Sequence, residues 1–263
     1  MKFCSLYSGS SGNSIFLSSE NAKILIDAGL PGKKIDEGLK FINENPKNID
    51  GIFITHEHSD HIKGVGIISR KYDIPIYANT NTWAAMEGKL GKIKENNIKI
   101  MDRRSTVSIK DLDIKSFNIP HDAEGPVGYT VHSAGKKASI ATDFGIFTEE
   151  IRDNIKDSDL ILLESNHDIN MLQYGPYPYQ LKRRILSEVG HLSNEDCGRA
   201  IVNILKSGIG KQIILGHLSG TNNHPDLAYE TVLGILRENG IQLGEDLLLS
   251  MADRHNPSNI INL

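Results

Sequence analysis

Between Ile54 and His61 the chain reads Ile-Thr-His-Glu-His-Ser-Asp-His, with three imidazoles and two carboxylates in the last six residues. A hydrophobic core has no use for such a cluster, because ionisable side chains are costly to bury unless they are paired or hold a metal. Any fold of this chain must therefore set the segment at the rim of a site. The residues just before it, Gly51 to Thr55, read as a strand. Side chains alternate along a strand, so His56 and His58 leave its end on one face and Glu57 on the other. That pair suits one cation. Asp60 and His61, in the turn beyond, suit a second one beside it, and the segment as a whole reads as half of a two-metal site.

The 263 residues suit one large α/β domain or two small ones, with length enough for a substantial core. No low-complexity linker separates halves, so the expectation is a single domain over residues 1–263, two layered β-sheets with helices outside. With 39% hydrophobic and 24% charged residues, disordered, collagen-like and membrane classes drop out. No apolar run reaches membrane-spanning length. A polar Gly/Ser cluster stands where a signal peptide would be apolar, which predicts a cytoplasmic protein. Cys4 and Cys197 read as reduced thiols. The net charge of −4 gives no overall basic field, although cations in a cleft supply local positive potential that a net charge averages away. The basic residues Lys33 and Lys34, Arg103 and Arg104, and Lys182 to Arg184 read as solvated surface.

Three β-like runs open the chain, Lys2 to Leu6, Ser14 to Leu17 and Lys23 to Ile26, as antiparallel neighbours. Strands and helices then alternate: a helix after Pro31, strand Gly51 to Ile54, helix His61 to Tyr72, strand Ile74 to Ala78 and helix Thr82 to Leu90. Hairpins follow over Val107 to Ile119 and Tyr129 to Ala141. Alternation resumes with helix Thr148 to Lys156, strand Leu160 to Leu163, helices Tyr179 to Val189 and Asn194 to Lys206, strand Gln212 to Leu215, helix Pro225 to Glu238 and strand Leu247 to Met251. In the helix after Ser193, Cys197, Ile201, Ile204, Leu205 and Gly208 recur at offsets that place one stripe inward, and Ser193 with Asp196 resembles a capping box.

His56, His58, Asp60 and His61 resemble the His-x-His-x-Asp-His motif of the metallo-β-lactamase superfamily of metal-dependent hydrolases. The resemblance covers most of the chain and implies that fold: an α/β, αβ/βα four-layer sandwich of two mixed β-sheets packed face to face, helices outside. It also implies three further ligands, each after a strand: His121 in Ile-Pro-His-Asp, Asp143 in Ala-Thr-Asp-Phe-Gly and His217 in Leu-Gly-His-Leu-Ser. One metal would take His56, His58 and His121, the other Asp60, His61 and His217, and Asp143 would bridge. Two such cations lower the pKa of a shared water and stabilise the leaving oxygen, with Asp60 serving in catalysis as well as ligation. Asp27 in Leu-Ile-Asp-Ala-Gly reads either as an orienter of metal ligands or as a plain turn former. Imidazoles with carboxylates accommodate zinc, manganese or iron.

Glu164 in Leu-Leu-Glu-Ser-Asn and His191 in Gly-His-Leu-Ser resemble the Glu and His that nuclease branches of the superfamily place ahead of the final ligand. Together they would form a proton relay to a departing sugar oxygen; the plainer alternative is an ion pair and a residue before a helix cap. The 22 residues from His121 to Asp143 leave no room for a tRNA-gripping arm, and the 48 from Asp143 to His191 none for the large extra domain of RNA-decay relatives. The compact form that remains looks most like the YycJ/WalJ group of bacterial cytoplasmic enzymes, which implies 5′-to-3′ exonuclease action on DNA. The Ser8 to Ser14 loop is either an anion nest that sets Ser10, Ser11, Gly12 and Asn13 against a substrate phosphate or a turn between strands. Tyr174, Tyr177 and Tyr179 read as core packing or a rigid helix entry more readily than as base-stacking groups. His167 and His224 are candidate substrate contacts.

The expected partner is DNA or another phosphodiester, with two divalent metals per chain, no membrane, and no flavin or nucleotide cofactor. The oligomeric state stays open. A small-molecule hydrolase of the same fold, cleaving a thioester, lactone or cyclic phosphodiester, fits the acidic balance equally well. Di-iron reductases on this fold place Glu where this chain has His58. A closed structural metal site would need four ligands, not seven.

Overall fold

A computed structural model describes residues 1–263, and it divides the strands between two sheets. The first part of the chain runs β1 (Lys2–Tyr7), β2 (Ser14–Ser18), β3 (Lys23–Ile26), α1 (Gly32–Phe41), β4 (Gly51–Phe53), α2 (Ser59–Ile62), α3 (Val65–Tyr72), β5 (Ile76–Ala78), α4 (Thr80–Ala85) and β6 (Ile98–Ile100). The second runs β7 (Thr106–Ile109), β8 (Leu112–Asn118), β9 (Val127–Ser133), β10 (Lys136–Ala141), α5 (Glu149–Ile155), β11 (Leu160–Glu164), α6 (Ile169–Tyr174), α7 (Tyr179–Ile185), α8 (Asn194–Leu205), β12 (Lys211–Gly216), α9 (Pro225–Glu238) and β13 (Leu247–Met251). A last strand, β14 (Ile261–Asn262), returns to pair with β1.

The sheet orders are β14-β1-β2-β3-β4-β5-β6 and β13-β12-β11-β10-β9-β8-β7. β1 to β3 are antiparallel, as expected, and β3 to β6 are parallel. In the second sheet β7 to β10 form an antiparallel meander and β10 to β13 are parallel. Burial explains the layering. Every residue of β11 is buried. Leu160 and Leu162 meet Ile24, Phe53 and Tyr129 between the sheets, while Ile161 and Leu163 pack with Ile151, Ile201 and Val232 from the helices outside. A run that is apolar at every position is what a strand covered on both faces requires. The outer face of the first sheet, Phe16, Leu25, Ile52 and Ile76, packs with Ile35 and Leu39 of α1 and Val65 and Ile68 of α3. The result is the four-layer αβ/βα sandwich.

The expected helix His61 to Tyr72 is broken. A single turn, Ser59–Ile62, carries Asp60 and His61, and the helix restarts at Val65. The break falls at Gly64, whose N–H donates to the carbonyl of Ala28 at 2.8 Å, which ties this corner to the end of β3. β6 and β14 escaped the sequence because they have only three and two residues, too short for a strand pattern to register. The stripe of α8 is buried except Gly208, which lies exposed beyond the helix end. Ser193 caps that helix, its Oγ accepting from Asp196 N at 3.0 Å. No helix is long and apolar enough to cross a membrane.

Because the strands that matter are parallel, their carboxyl ends share one edge of the sandwich, where ligands of open α/β sheets bind. Asp27 follows β3, His56 follows β4, His121 follows β8, Asp143 follows β10, Glu164 ends β11 and His217 follows β12.

Candidate metal centre

Three of these positions bend the backbone into the left-handed region: Asp27 at φ 60°, Asp143 at φ 65° and His217 at φ 55°. That conformation costs on the order of 1–3 kcal/mol per non-glycine residue and persists only where surrounding structure imposes it. Its recurrence after β3, β10 and β12 turns each side chain inward.

The side chains that converge fall into four overlapping groups whose ligand atoms lie within 4.8 Å of one another: His56, His58 and His121; Asp60, His61 and His217; His56, His61 and Asp143; and Asp143, Glu164, His191 and His217. Asp143 lies between them, with Oδ2 at 3.5 Å from His61 Nε2 and Oδ1 at 3.3 Å from His217 Nε2 and 4.0 Å from His121 Nε2. Asp60 Oδ2 is 3.5 Å from His61 Nε2 and 3.6 Å from His217 Nε2. All seven residues singled out in the sequence are thus brought together.

Four imidazoles are held the same way, by an oxygen at Nδ1 that leaves Nε2 facing the cluster. Thr55 Oγ1 lies 3.0 Å from His56 Nδ1, Asp27 Oδ2 lies 2.8 Å from His61 Nδ1, and Glu164 Oε1 lies 2.8 Å from His217 Nδ1. The carbonyls of Val189 and Gly190 lie 3.1 and 3.2 Å from His121 Nδ1. Such partners fix tautomer and ring orientation for ligation at the other nitrogen. Moreover, His56 Nε2, His217 Nε2 and Asp143 Oδ2 are buried without a hydrogen-bond partner. Buried polar atoms are rarely left this way. A divalent cation is the group this donor set fits.

Asp27 is both orienter and turn former, since its carboxylate also accepts from Thr55 N at 2.9 Å and Thr55 Oγ1 at 2.7 Å. Glu164, fully buried, does more than expected. Oε1 lies 2.8 Å from His191 Nδ1 as well as from His217, while Oε2 accepts from Phe144 N at 3.0 Å and Leu192 N at 3.3 Å. Beside the cluster opens a cleft lined by Ser10, His58, Asp60, Asp143, His191 and His217, and also by Arg184.

Residues 22–217 match the family described as Beta-lactamase superfamily domain. The chain belongs to this superfamily. Among curated members it is 40% identical over 260 residues to Exodeoxyribonuclease YycJ of Bacillus anthracis, covering 99% of this chain and 98% of that protein. It is 43% identical over 247 residues to Exodeoxyribonuclease WalJ of Streptococcus pneumoniae, covering 93% of this chain and 91% of that one. Among solved structures, the Zn(2+)-bound PqqB of Methylobacterium extorquens superposes with a TM-score of 0.73 at 15% identity, over 100% of both chains, which supports the superfamily fold.

Electrostatics in this superfamily member tie the two carboxylates to the ring of imidazoles. Burial pushes the Asp143 carboxyl up, but His217, His61 and His56 outweigh it and hold it well below its ordinary range. Asp60 is likewise held low, by His61 and His217 against burial. Burial disfavours charge on His61 and His217, yet Asp143, Asp27 and Asp60 hold the first well above the usual range, and Asp143, Asp60 and Glu164 push the second up to about 10. His56 goes the other way, held low by burial and by His61. A cation entering here displaces protons from imidazoles, so its affinity rises with pH.

Some sequence expectations do not survive the geometry. In the Ser8 to Ser14 loop the N–H groups of Ser8, Gly9, Gly12 and Asn13 donate to Asp253 O, Asn13 Oδ1, Gly9 O and Asp60 O, so most of the anion nest is spent inside the protein. Ser10 lines the cleft, but Ser11 is not among the lining residues. Gly12 packs on Leu30 so closely that a Cβ would lie 2.5 Å from its Cγ, and Asn13 is buried with Nδ2 at 3.1 Å from His61 Nε2. Of the two readings of the tyrosines, core packing fails, since Tyr174 and Tyr179 are 79% and 74% exposed, while the helix entry stands, Tyr179 opening α7 directly after Pro178; Arg183 lies over the Tyr179 ring at 5.9 Å. Arg184, read from sequence as solvated surface, lines the cleft and donates from Nη2 to Asp122 Oδ1 at 3.0 Å. Thr55 and Ser8, whose Oγ accepts from His217 N at 2.9 Å, also went unassigned. Thr55 was hinted at only by its place next to His56, and Ser8 by nothing in the sequence.

His167 does not contact the cleft. It is 1% exposed, and neither ring nitrogen has a partner. Burial drives its pKa down to about 4. In the unfolded chain the imidazole titrates near 6.5, so below that pH only the unfolded state takes up the proton and stability falls as pH drops from about 6.5 to about 4. Above 6.5 the effect is absent. Between pH 7 and pH 5 this one group removes about 2 kcal/mol. Denaturant titrations at both pH values are expected to show His167→Gln losing about 2 kcal/mol less than the unsubstituted protein over that interval; equal losses would contradict the assignment.

Proposed function

We propose that this chain is a dinuclear metal-dependent phosphodiesterase that degrades DNA from the 5′ end, acting as one domain over residues 1–263 in the cytoplasm. His56, His58 and His121 hold one cation, Asp60, His61 and His217 the other, and Asp143 both. Zinc or manganese suits this mixture of imidazole and carboxylate, and iron is compatible. When bound, such cations supply Lewis acidity to an attacking water and to the phosphoryl oxygens. The buried, unpaired Cys4 and Cys197 accord with a reducing compartment.

The observation that carries the reading is the His191 imidazole, held at Nδ1 by Glu164 and set in the cleft with Asp60 and Asp143. With Nδ1 engaged, Nε2 is the atom that delivers a proton to the departing sugar oxygen. Asp60, which lines the cleft as well as facing His61 and His217, accepts the proton of the attacking water. Arg184 binds a phosphate oxygen from the cleft wall, its Asp122 partner holding the guanidinium in place. The names of YycJ and WalJ, both exodeoxyribonucleases, supply the substrate class. His191→Ala is expected to lower DNA cleavage about a hundredfold or more while metal content stays at two equivalents, because His191 lies outside the proposed ligand set. Undiminished cleavage by that variant would remove the proton-delivery role.

A further inference from the structure

The line of functional side chains along the second sheet does not stop at His217. Sheet order runs β10, β11, β12, β13, and the first three strands deliver Asp143, Glu164 and His217 at their carboxyl ends. β13 pairs in parallel with β12, Leu215 opposite Met251, so its carboxyl end lies one strand spacing further along the same edge. Arg254 emerges there, beside a cavity of about 460 Å³ lined also by Ser8, Leu218, Ser219, Gly220 and His224.

The Arg254 guanidinium is built in. Nη2 donates to the carbonyl of Leu218, the residue after His217. Its faces are hemmed by two glycines: a Cβ on Gly220 would come within 2.6 Å of Nη1, and one on Gly9 within 3.3 Å of Cζ. No carboxylate balances its charge. Asp253, which also lines the cavity, turns its carboxylate to the N–H groups of His255 and Asn256, at 2.6 and 3.0 Å. Arg254 is half-buried, and burial without an anionic partner holds its pKa below the usual value. A guanidinium left with free donors beside an open cavity is a seat for a planar or tetrahedral anion.

The same two loops wall the cavity and the metal cleft. Ser8 and Leu218 face the cavity, while Ser10 and His217 face the cleft. Ser8 lies two residues from Ser10 and Leu218 adjoins His217, a separation of at most roughly 7 Å along the chain, which keeps both openings within reach of neighbouring phosphates of one strand. We infer that the Arg254 cavity binds a backbone phosphate of the DNA strand one or two nucleotides from the phosphate being cleaved. This rests on the phosphodiesterase reading and extends it to a second subsite.

The test is a binding titration of the metal-loaded protein with a short single-stranded oligonucleotide whose phosphorothioate linkages resist hydrolysis, repeated over a range of salt. Arg254→Ala is expected to weaken binding about tenfold. It should also lower the slope of log affinity against log salt by about 0.7, the share of one phosphate contact on a single strand. Gly220→Ala, which keeps the charge but crowds the guanidinium, should weaken binding in the same direction, and it carries the test if Arg254→Ala fails to fold. Unchanged affinity and slope in both variants, or no binding by the unsubstituted protein, would overturn the inference. Failure of the wider reading looks different: an oligonucleotide bound through Arg254 whose ordinary phosphodiester counterpart is never cut would refute the nuclease and leave the subsite standing.

Discussion

Asp143→Asn is expected to reduce bound metal from two equivalents to one or fewer and to lower DNA cleavage about a thousandfold, the equivalent of about 4 kcal/mol of barrier. Asn is the informative substitution. Asp143 sits at φ 65°, a conformation that Asn adopts readily, so the backbone after β10 should hold while the charge is removed. What disappears is the one carboxylate within 4.0 Å of His61, His121 and His217 together. One imidazole nitrogen cannot serve two cations, and a neutral amide serves them poorly. Metal content by elemental analysis, alongside turnover of labelled DNA, reads both effects. Two retained equivalents with near-normal turnover would contradict the bridging role.

Glu164→Gln should be nearly as damaging, and in a different pattern. The carboxylate faces four hydrogen-bond donors: the Nδ1 atoms of His191 and His217 on one oxygen, and the N–H groups of Phe144 and Leu192 on the other. An amide cannot satisfy both sides, so at least one buried donor pair is orphaned, at a cost of about 2–4 kcal/mol. Loss of the His217 orienter should weaken metal binding 10- to 100-fold. His191→Ala keeps its metal, so the pair of variants separates proton delivery from ligand positioning. Burial pushes Glu164 up, but His191 and His217 outweigh it and hold the carboxyl at about 2. Its stabilising contribution is therefore complete above the ordinary carboxylate pKa and is lost as pH falls from about 4.5 to about 2. Glu164→Gln should lack that acid loss in denaturant titrations. A variant with unaltered melting temperature and metal affinity would refute this account of Glu164.

The opening cluster was legible because its chemistry is improbable for any other purpose, and the two-layered sheet because the strands covered on both faces are written as unbroken apolar runs such as Leu160 to Leu163. His121, Asp143 and His217 were legible only in series, each being ordinary for a strand end when taken alone. The left-handed turns that aim Asp143 and His217 leave no mark, since neither residue is a glycine. Thr55, Arg184 and Arg254 were illegible for another reason. Their roles arise from side chains meeting across distant segments, and a basic residue on a short helix or in a loop reads as solvated surface until the fold places it. The Ser8 to Ser14 loop left two readings open, and the structure favours the turn. Its composition suits an anion nest, but Asn13 and the returning Asp253 and Asp60 carbonyls occupy its donors.

The central claim is that these converging strand ends cut DNA with two cations. The most direct measurement is incubation of the purified protein with duplex and single-stranded DNA labelled at either the 5′ or the 3′ end, with Mn²⁺ or Zn²⁺ added and with chelator as control. The account predicts metal-dependent release of short 5′-labelled products, while the 3′ label stays on progressively shortened strands. Intact DNA under every condition, with a thioester, lactone or cyclic phosphodiester hydrolysed by the same preparation, would contradict it.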